Sequence, residues 1–274
     1  GTLEHARRHV EAGVDIVVAQ GTEAGGHTGE ISTMVLVPEV VDAVAPIPVL
    51  AAGGIGNGRQ VAAALALGAQ GVWMGSAWLT TEEAETHPVV KEKFLRASSS
   101  DTIRSRSLTG KPARMLRSAW TEAWEDPSNP RPLPMPLQPR LVREAQTRIA
   151  RAAHKSAGAA ELSNYFVGQI VGSLKHVKSV RSVMEELVQE YADTMERLDD
   201  WSSRCRAVSR RSVSGGSSGF GACTPGKRNR SGGRDRRAVK GAVPTGCPPR
   251  VRAAIRRGSL PADPDASRRR RLLR

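Results

Sequence analysis

Short apolar runs, each ended by glycine, alternate along the first eighty residues with longer stretches whose apolar positions recur every three or four residues. Residues 2–12 carry the helical pattern and stop at Gly13, a residue suited to a helix C-terminus. Asp15–Ala19 is apolar and β-branched, which predicts a buried strand. Residues 33–44 (TMVLVPEVVDAV) predict a helix that Pro38 breaks into two short segments. Pro46-Ile47-Pro48 is a connector, Val49–Ala52 a second buried strand, residues 58–67 an Ala-rich helix closed by Gly68, and Gly71–Met74 a third strand. Strands separated by helices of this length imply parallel βα units. The glycine-rich loops follow the strands, at the strand ends where barrels and open parallel sheets place their sites.

After Thr81 the pattern changes. Residues 82–97 predict a helix, and residues 101–126 hold the basic, polar stretch TGKPAR with Trp120 and Trp124. Residues 127–139 contain six prolines in 13 positions and read as a semi-rigid extended connector. Residues 140–154 and 176–199 predict helices. In the second, Val180, Val183, Met184, Leu187, Val188 and Tyr191 form a stripe that packs on the domain rather than on a cofactor.

Composition divides the chain again. Residues 1–200 carry 21 Lys and Arg against 24 Asp and Glu, whereas residues 201–274 carry 20 against three. The net charge of +14 therefore belongs to the last 74 residues. Those residues are rich in Arg, Gly, Ser and Pro and bury too little apolar surface to offset the entropy of ordering, so disorder is expected. The same composition fits a basic arm that binds nucleic acid non-specifically and in a salt-dependent way, and it fits an out-of-frame reading of GC-rich DNA. Cys205, Cys223 and Cys247 all lie in this tail without a zinc spacing. No apolar run is long enough for a membrane span, and GTLEHARRHV has no signal-peptide core, so a cytoplasmic location is expected. The chain begins as if in the middle of a helix, without an initiator Met, and is expected to start inside a larger protein.

Three loops carry candidate chemistry. AAGGIGNG (residues 51–58) lies between a strand and a helix, so its glycines allow close backbone approach and the helix N-terminal amides can face an anion. A tight turn without a ligand would look the same. GVWMGS (residues 71–76) ends the adjacent strand, and Ser76 offers either a hydroxyl donor or a helix N-cap. In QGTEAGGHTG (residues 20–29), His27 is the one histidine flanked by strand-end glycines, and its imidazole could act as a base near neutral pH. Glu23 would either orient it or stand solvated, and the solvated reading is favoured.

Together EAGGHTG, AAGGIGNG, MGS before an acidic helix, and TGKPAR resemble the nitronate monooxygenase family, also called 2-nitropropane dioxygenase-like. The resemblance covers about residues 1–200 and implies an FMN-dependent flavoprotein oxidoreductase with an α/β, TIM (β/α)8 barrel fold. It implies that His27 is the catalytic base toward a nitroalkane or nitronate, with O2 as co-substrate. It implies FMN contacts at Gly25, at Gly54 with Gly53 beside it, and through Trp73-Met74-Gly75-Ser76, the last phosphate-binding loop. Many relatives have Gln first and Thr last in that loop; Trp73 departs, and Ser76 keeps a hydroxyl. FMN-dependent enoyl-acyl-carrier-protein reductases share these motifs and are the rival reading. A basic nucleic-acid-binding protein acting through the tail is the third.

A barrel needs eight βα units, and three are read here. The expected organisation is residues 1–81 as the C-terminal βα units of a flavin-binding barrel, 82–200 as a helical insert and C-terminal helix, and 201–274 as tail. An open sheet edge leaves apolar surface exposed, so the chain alone is expected to be inactive or poorly folded.

Overall fold

The computed structural model describes residues 1–214, with side chains described as far as residue 206. The helices are α1 (Leu3–Glu11), α2 (Thr33–Val44), α3 (Gly58–Ala66), α4 (Pro88–Arg96), α5 (Ala119–Glu125), α6 (Leu137–Ala152), α7 (Ala157–Leu162) and α8 (Val180–Ser214). The strands are β1 (Val17–Gln20), β2 (Gly26–His27), β3 (Val49–Ala52), β4 (Gly71–Trp73), β5 (Thr102–Ser105) and β6 (Ala113–Leu116). Residues 201–214, expected to begin the tail, continue α8 instead, with Arg204 paired to Asp200 one turn earlier at 3.1 Å. The expectations for Cys223, Cys247 and the remaining basic segment lie outside the described residues.

The predicted βα units are present. β1, β3 and β4 form a parallel sheet in that order, with Val17 opposite Val49 and Leu50 opposite Gly71. One face of the sheet buries Val17, Ala19, Val49 and Ala51 against Leu36, Val37, Val40 and Val44 of α2. This packing explains why Pro38 does not break α2. Proline removes one i→i−4 donor, but Leu36, Val37 and Val40 on either side are at most 1% exposed, and the buried face holds the helix across the missing bond. α1 begins with the Thr2 hydroxyl accepting from the His5 amide, and Gly13, just past its C-cap Ala12, takes φ +85°.

Three strands leave the sheet open. Ile16 and Val18 are 53% and 39% exposed beside and within β1, and Trp73 is 62% exposed at the end of β4. In a closed barrel, neighbouring strands and inward side chains cover such positions.

The second sheet was not predicted. β2, β6 and β5 are antiparallel, with Gly26 opposite Arg114 and Arg104 opposite Arg114 on the other side. All four residues of β6 are buried, including Arg114. A buried charge inside a short strand hides the apolar pattern by which strands are read. α4 is also shorter than the predicted 82–97: it starts at Pro88, with His87 accepting from the Val89 amide at 3.3 Å. The residue before proline resists helical backbone angles, so the helix cannot extend back through His87. α6 reaches three residues into the proline-rich connector, because Pro139 falls in the first turn, where no amide partner is needed. α8 packs on α3 as its stripe predicts, with Leu187 buried.

Candidate active site

The ends of β1, β3 and β4 converge on one cleft of about 300 Å³. Its walls include Gly25, Gly53, Gly54, Trp73, Met74, Gly75 and Ser76, so the structure brings together every residue that the motifs propose for a cofactor. His27 stands two residues beyond Gly25, exposed on β2, and does not line the cleft itself. A larger cavity of about 760 Å³ lies between α4 and α6 and shares only Leu79 with this cleft. It contains none of the motif glycines, and size alone does not make it the site.

The cleft offers unoccupied backbone donors, though not where the helix N-terminus suggests. The first amides of α3 are occupied: Gly56 and Asn57 donate to Gln60 Oε1 at 2.8 and 3.2 Å, and Gly58 donates to Glu190 Oε2 at 2.9 Å. Gln60 completes a capping box with Asn57. By contrast, the amides of Gly54 and Ile55 have no acceptor among the described residues. Gly53 and Gly54 have φ of +100° and +70°, a run of left-handed backbone that only glycine enters freely. At Gly75 an added Cβ would meet nothing within 4 Å. No Lys or Arg lines the cleft, so a phosphate there would be held by backbone N–H groups.

Glu23 neither orients His27 nor stands solvated. Its two carboxylate oxygens accept from the Thr33 amide at 3.1 and 3.0 Å, and one accepts from the Thr33 hydroxyl at 2.9 Å. Ser32, the N-cap residue of α2, makes no side-chain cap; Glu23 supplies it from another loop, where the helix dipole favours a negative charge. The carboxylate is thereby tied to the start of α2 at the edge of the cleft. Glu23→Ala is expected to destabilise the fold by about 1–2 kcal/mol, measured by urea unfolding, with Glu39→Ala on the same helix as the control.

Ser76 is not an N-cap. It is the first residue of a short 3-10 turn, and its Oγ accepts from the Gly168 amide at 2.8 Å, which leaves its proton free for an acceptor in the cleft. This bond belongs to a strap, residues 166–170, that motif reading missed. Gln169 donates to the Glu23 carbonyl at 2.9 Å, and Phe166 and Ile170 line the cleft. Gly25 and Gly168 are glycines because of this crossing: a Cβ on Gly25 would meet the Val167 carbonyl carbon at 2.8 Å, and one on Gly168 the Glu23 oxygen at 2.6 Å. The signal available in the sequence was a glycine pair some 140 residues apart, which no local pattern connects.

TGKPAR finds its place in the second sheet. Thr109 Oγ1 lies 2.8 Å from His27 Nε2, and His27 stands opposite Ala113 in the strand register. Arg114, 8% exposed, donates from Nε to the Thr22 carbonyl at 2.8 Å and from Nη1 to Thr102 Oγ1 at 3.0 Å. Burial first, and the nearby Arg104 charge second, pull the guanidinium below its usual pKa, while Glu23 opposes. The motif thus fastens the glycine loop at Thr22 and at His27. The His27 ring also lies 6.3 Å, centroid to centroid, from Phe166 of the strap.

The family model described as nitronate monooxygenase matches residues 1–190. A putative monooxygenase of Mycobacterium tuberculosis is 69% identical over 199 residues, covering 72% of this chain and 53% of the relative. Among solved structures, a nitroalkane oxidase from Streptomyces ansochromogenes aligns with a TM-score of 0.63 at 32% identity over 72% of this chain and 57% of that one. FabK from Thermotoga maritima aligns with a TM-score of 0.61 at 35% identity over 73% and 62%. The chain spans about half the length of the curated relatives it matches.

Proposed function

The chain belongs to the nitronate monooxygenase family, whose members are TIM-barrel enzymes, and from that premise we propose that it supplies the phosphate cradle and the catalytic base for FMN-dependent oxidation of alkyl nitronates or nitroalkanes by O2. The observation that carries the reading is the convergence of the three glycine loops on one cleft with His27 at its border. Gly54 and Ile55 amides and the Ser76 hydroxyl would hold the flavin phosphate, and Gly25, Gly53 and the Trp73–Gly75 backbone would line it. FMN, when bound, supplies the electron acceptor and the reaction with O2. His27 would take the proton from the carbon bearing the nitro group, a task suited to an imidazole near neutral pH. Glu23 directs both carboxylate oxygens to Thr33 at the start of α2.

The test joins this chain to the βα units of the 69% identical relative that it does not match, loads FMN, and follows O2 uptake. Nitronate-dependent O2 uptake without added nicotinamide is the expected result. Oxidation of NAD(P)H by an enoyl thioester, with no response to nitronate, would overturn it in favour of the enoyl reductase reading. Salt-sensitive nucleic-acid binding localised to residues 201–274, with neither activity, would favour the basic-arm reading.

A further inference from the structure

His27 has two ring nitrogens, and a neutral imidazole can use only one of them as a base. Which one is decided by whatever holds the other. Among the described residues Nε2 has a partner, Thr109 Oγ1 at 2.8 Å, while Nδ1 has none. The role of Thr109 in that contact follows from its own surroundings. Its Oγ1 also lies 3.0 Å from the Lys111 carbonyl and accepts from the Lys111 amide at 3.3 Å. A carbonyl oxygen brings no proton, so the 3.0 Å contact is a hydrogen bond only if the threonine proton points to it. Turning that proton toward His27 instead would set two oxygen lone pairs against each other. The turn enforces this arrangement, because the Gly110 amide donates to the Arg106 carbonyl at 2.8 Å and Gly110 takes φ +78°. Thr109 is therefore an acceptor toward the ring.

We propose that Thr109 is a positioning residue that locks neutral His27 as the Nε2–H tautomer, so that Nδ1 is the nitrogen that takes the substrate proton. This rests on the reading of His27 as the base. The lock itself is a property of the chain and can be read without flavin or substrate.

The experiment is long-range 1H–15N correlation of the full chain labelled with 15N-histidine, at a pH well above the ordinary imidazole range. The His27 signals are identified by their loss in His27→Gln. In the unmodified chain Nε2 is expected at the protonated-nitrogen position and Nδ1 at the unprotonated one, with no averaging between them. In Thr109→Val the two resonances move toward each other as the tautomers mix, and Thr109→Ser, which keeps the hydroxyl, restores the separation. A protonated Nδ1 in the unmodified chain overturns the proposal, whether or not the valine variant folds. So does a spectrum that Thr109→Val leaves unchanged. Neither result depends on activity, so failure of the lock is distinguishable from failure of His27 as a base, which turnover of His27→Ala reads.

Discussion

If the proposed function holds, replacing His27 by alanine in the flavin-loaded chain joined to the relative's βα units is expected to lower kcat/KM for a neutral nitroalkane by about 10²–10⁴-fold, and for a preformed nitronate by far less. The difference between the two substrates is the point of the measurement. A neutral nitroalkane must lose a proton from carbon before its electrons can leave, and a positioned base lowers that barrier. A nitronate has already lost it. The imidazole then contributes only binding to the anion, which appears in KM rather than kcat. Initial rates of O2 uptake with both forms of one substrate, across a range of concentrations, separate the two effects. Equal losses on both substrates would make His27 a binding residue, and no loss on either would remove it from the mechanism. Because His27 is exposed on the short strand β2, its truncation leaves no cavity, and a collapse of the fold is not expected to mimic the kinetic result.

Much of the site could be read in the chain because its parts are local. A strand followed by glycines is a contiguous pattern, and β1, β3 and β4 fall within a residue or two of the predicted runs. The glycine loops share a cleft because parallel βα units put successive strand ends side by side. What could not be read depends on contacts between elements that no contiguous pattern connects. The partner of Glu23 is Thr33 on a neighbouring helix, the partner of His27 is Thr109, and the cover of Gly25 is the strap at Val167 and Gly168. In β6, Arg114 sits where a strand reading demands an apolar side chain, and its guanidinium is satisfied by Thr22, 92 residues earlier, and by Thr102 on the neighbouring strand β5. The amide pattern at α3 is the sharpest case. The motif points to the helix N-terminus as the anion site, but Gln60 and Glu190 fill it, and the free donors lie earlier, at Gly54 and Ile55.

Gly58→Ala should be among the most damaging single methyl additions in the described chain outside the cleft. Gly58 opens α3, where an alanine ordinarily favours a helix over glycine by up to about 1 kcal/mol. Here α8 crosses directly over it. An added Cβ would meet the Tyr191 amide nitrogen at 2.2 Å, the Leu187 carbonyl oxygen at 2.5 Å and the Glu190 carbonyl carbon at 2.6 Å. All three are backbone atoms, so no side chain can rotate away, and one helix must move by most of an ångström. That movement also stretches the bond from the Gly58 amide to Glu190. Overpacking of this kind costs about 1–3 kcal/mol, and the lost charge-assisted bond adds to it. For a domain of this size the thermal midpoint should fall by roughly 3–10 °C. Gly75→Ala is the matched control: its Cβ meets nothing within 4 Å, and its φ of −119° suits alanine. A midpoint that falls equally in both variants would mean that glycine content matters and the α3–α8 crossing does not. If Gly58→Ala alone is damaging, hydrogen exchange should show faster opening along α8. The freed α3 amide then offers a second test, because a site built at Gly54 and Ile55 should keep its inorganic phosphate affinity in the surviving folded fraction, whereas a site built on the helix N-terminus should gain affinity once Glu190 withdraws.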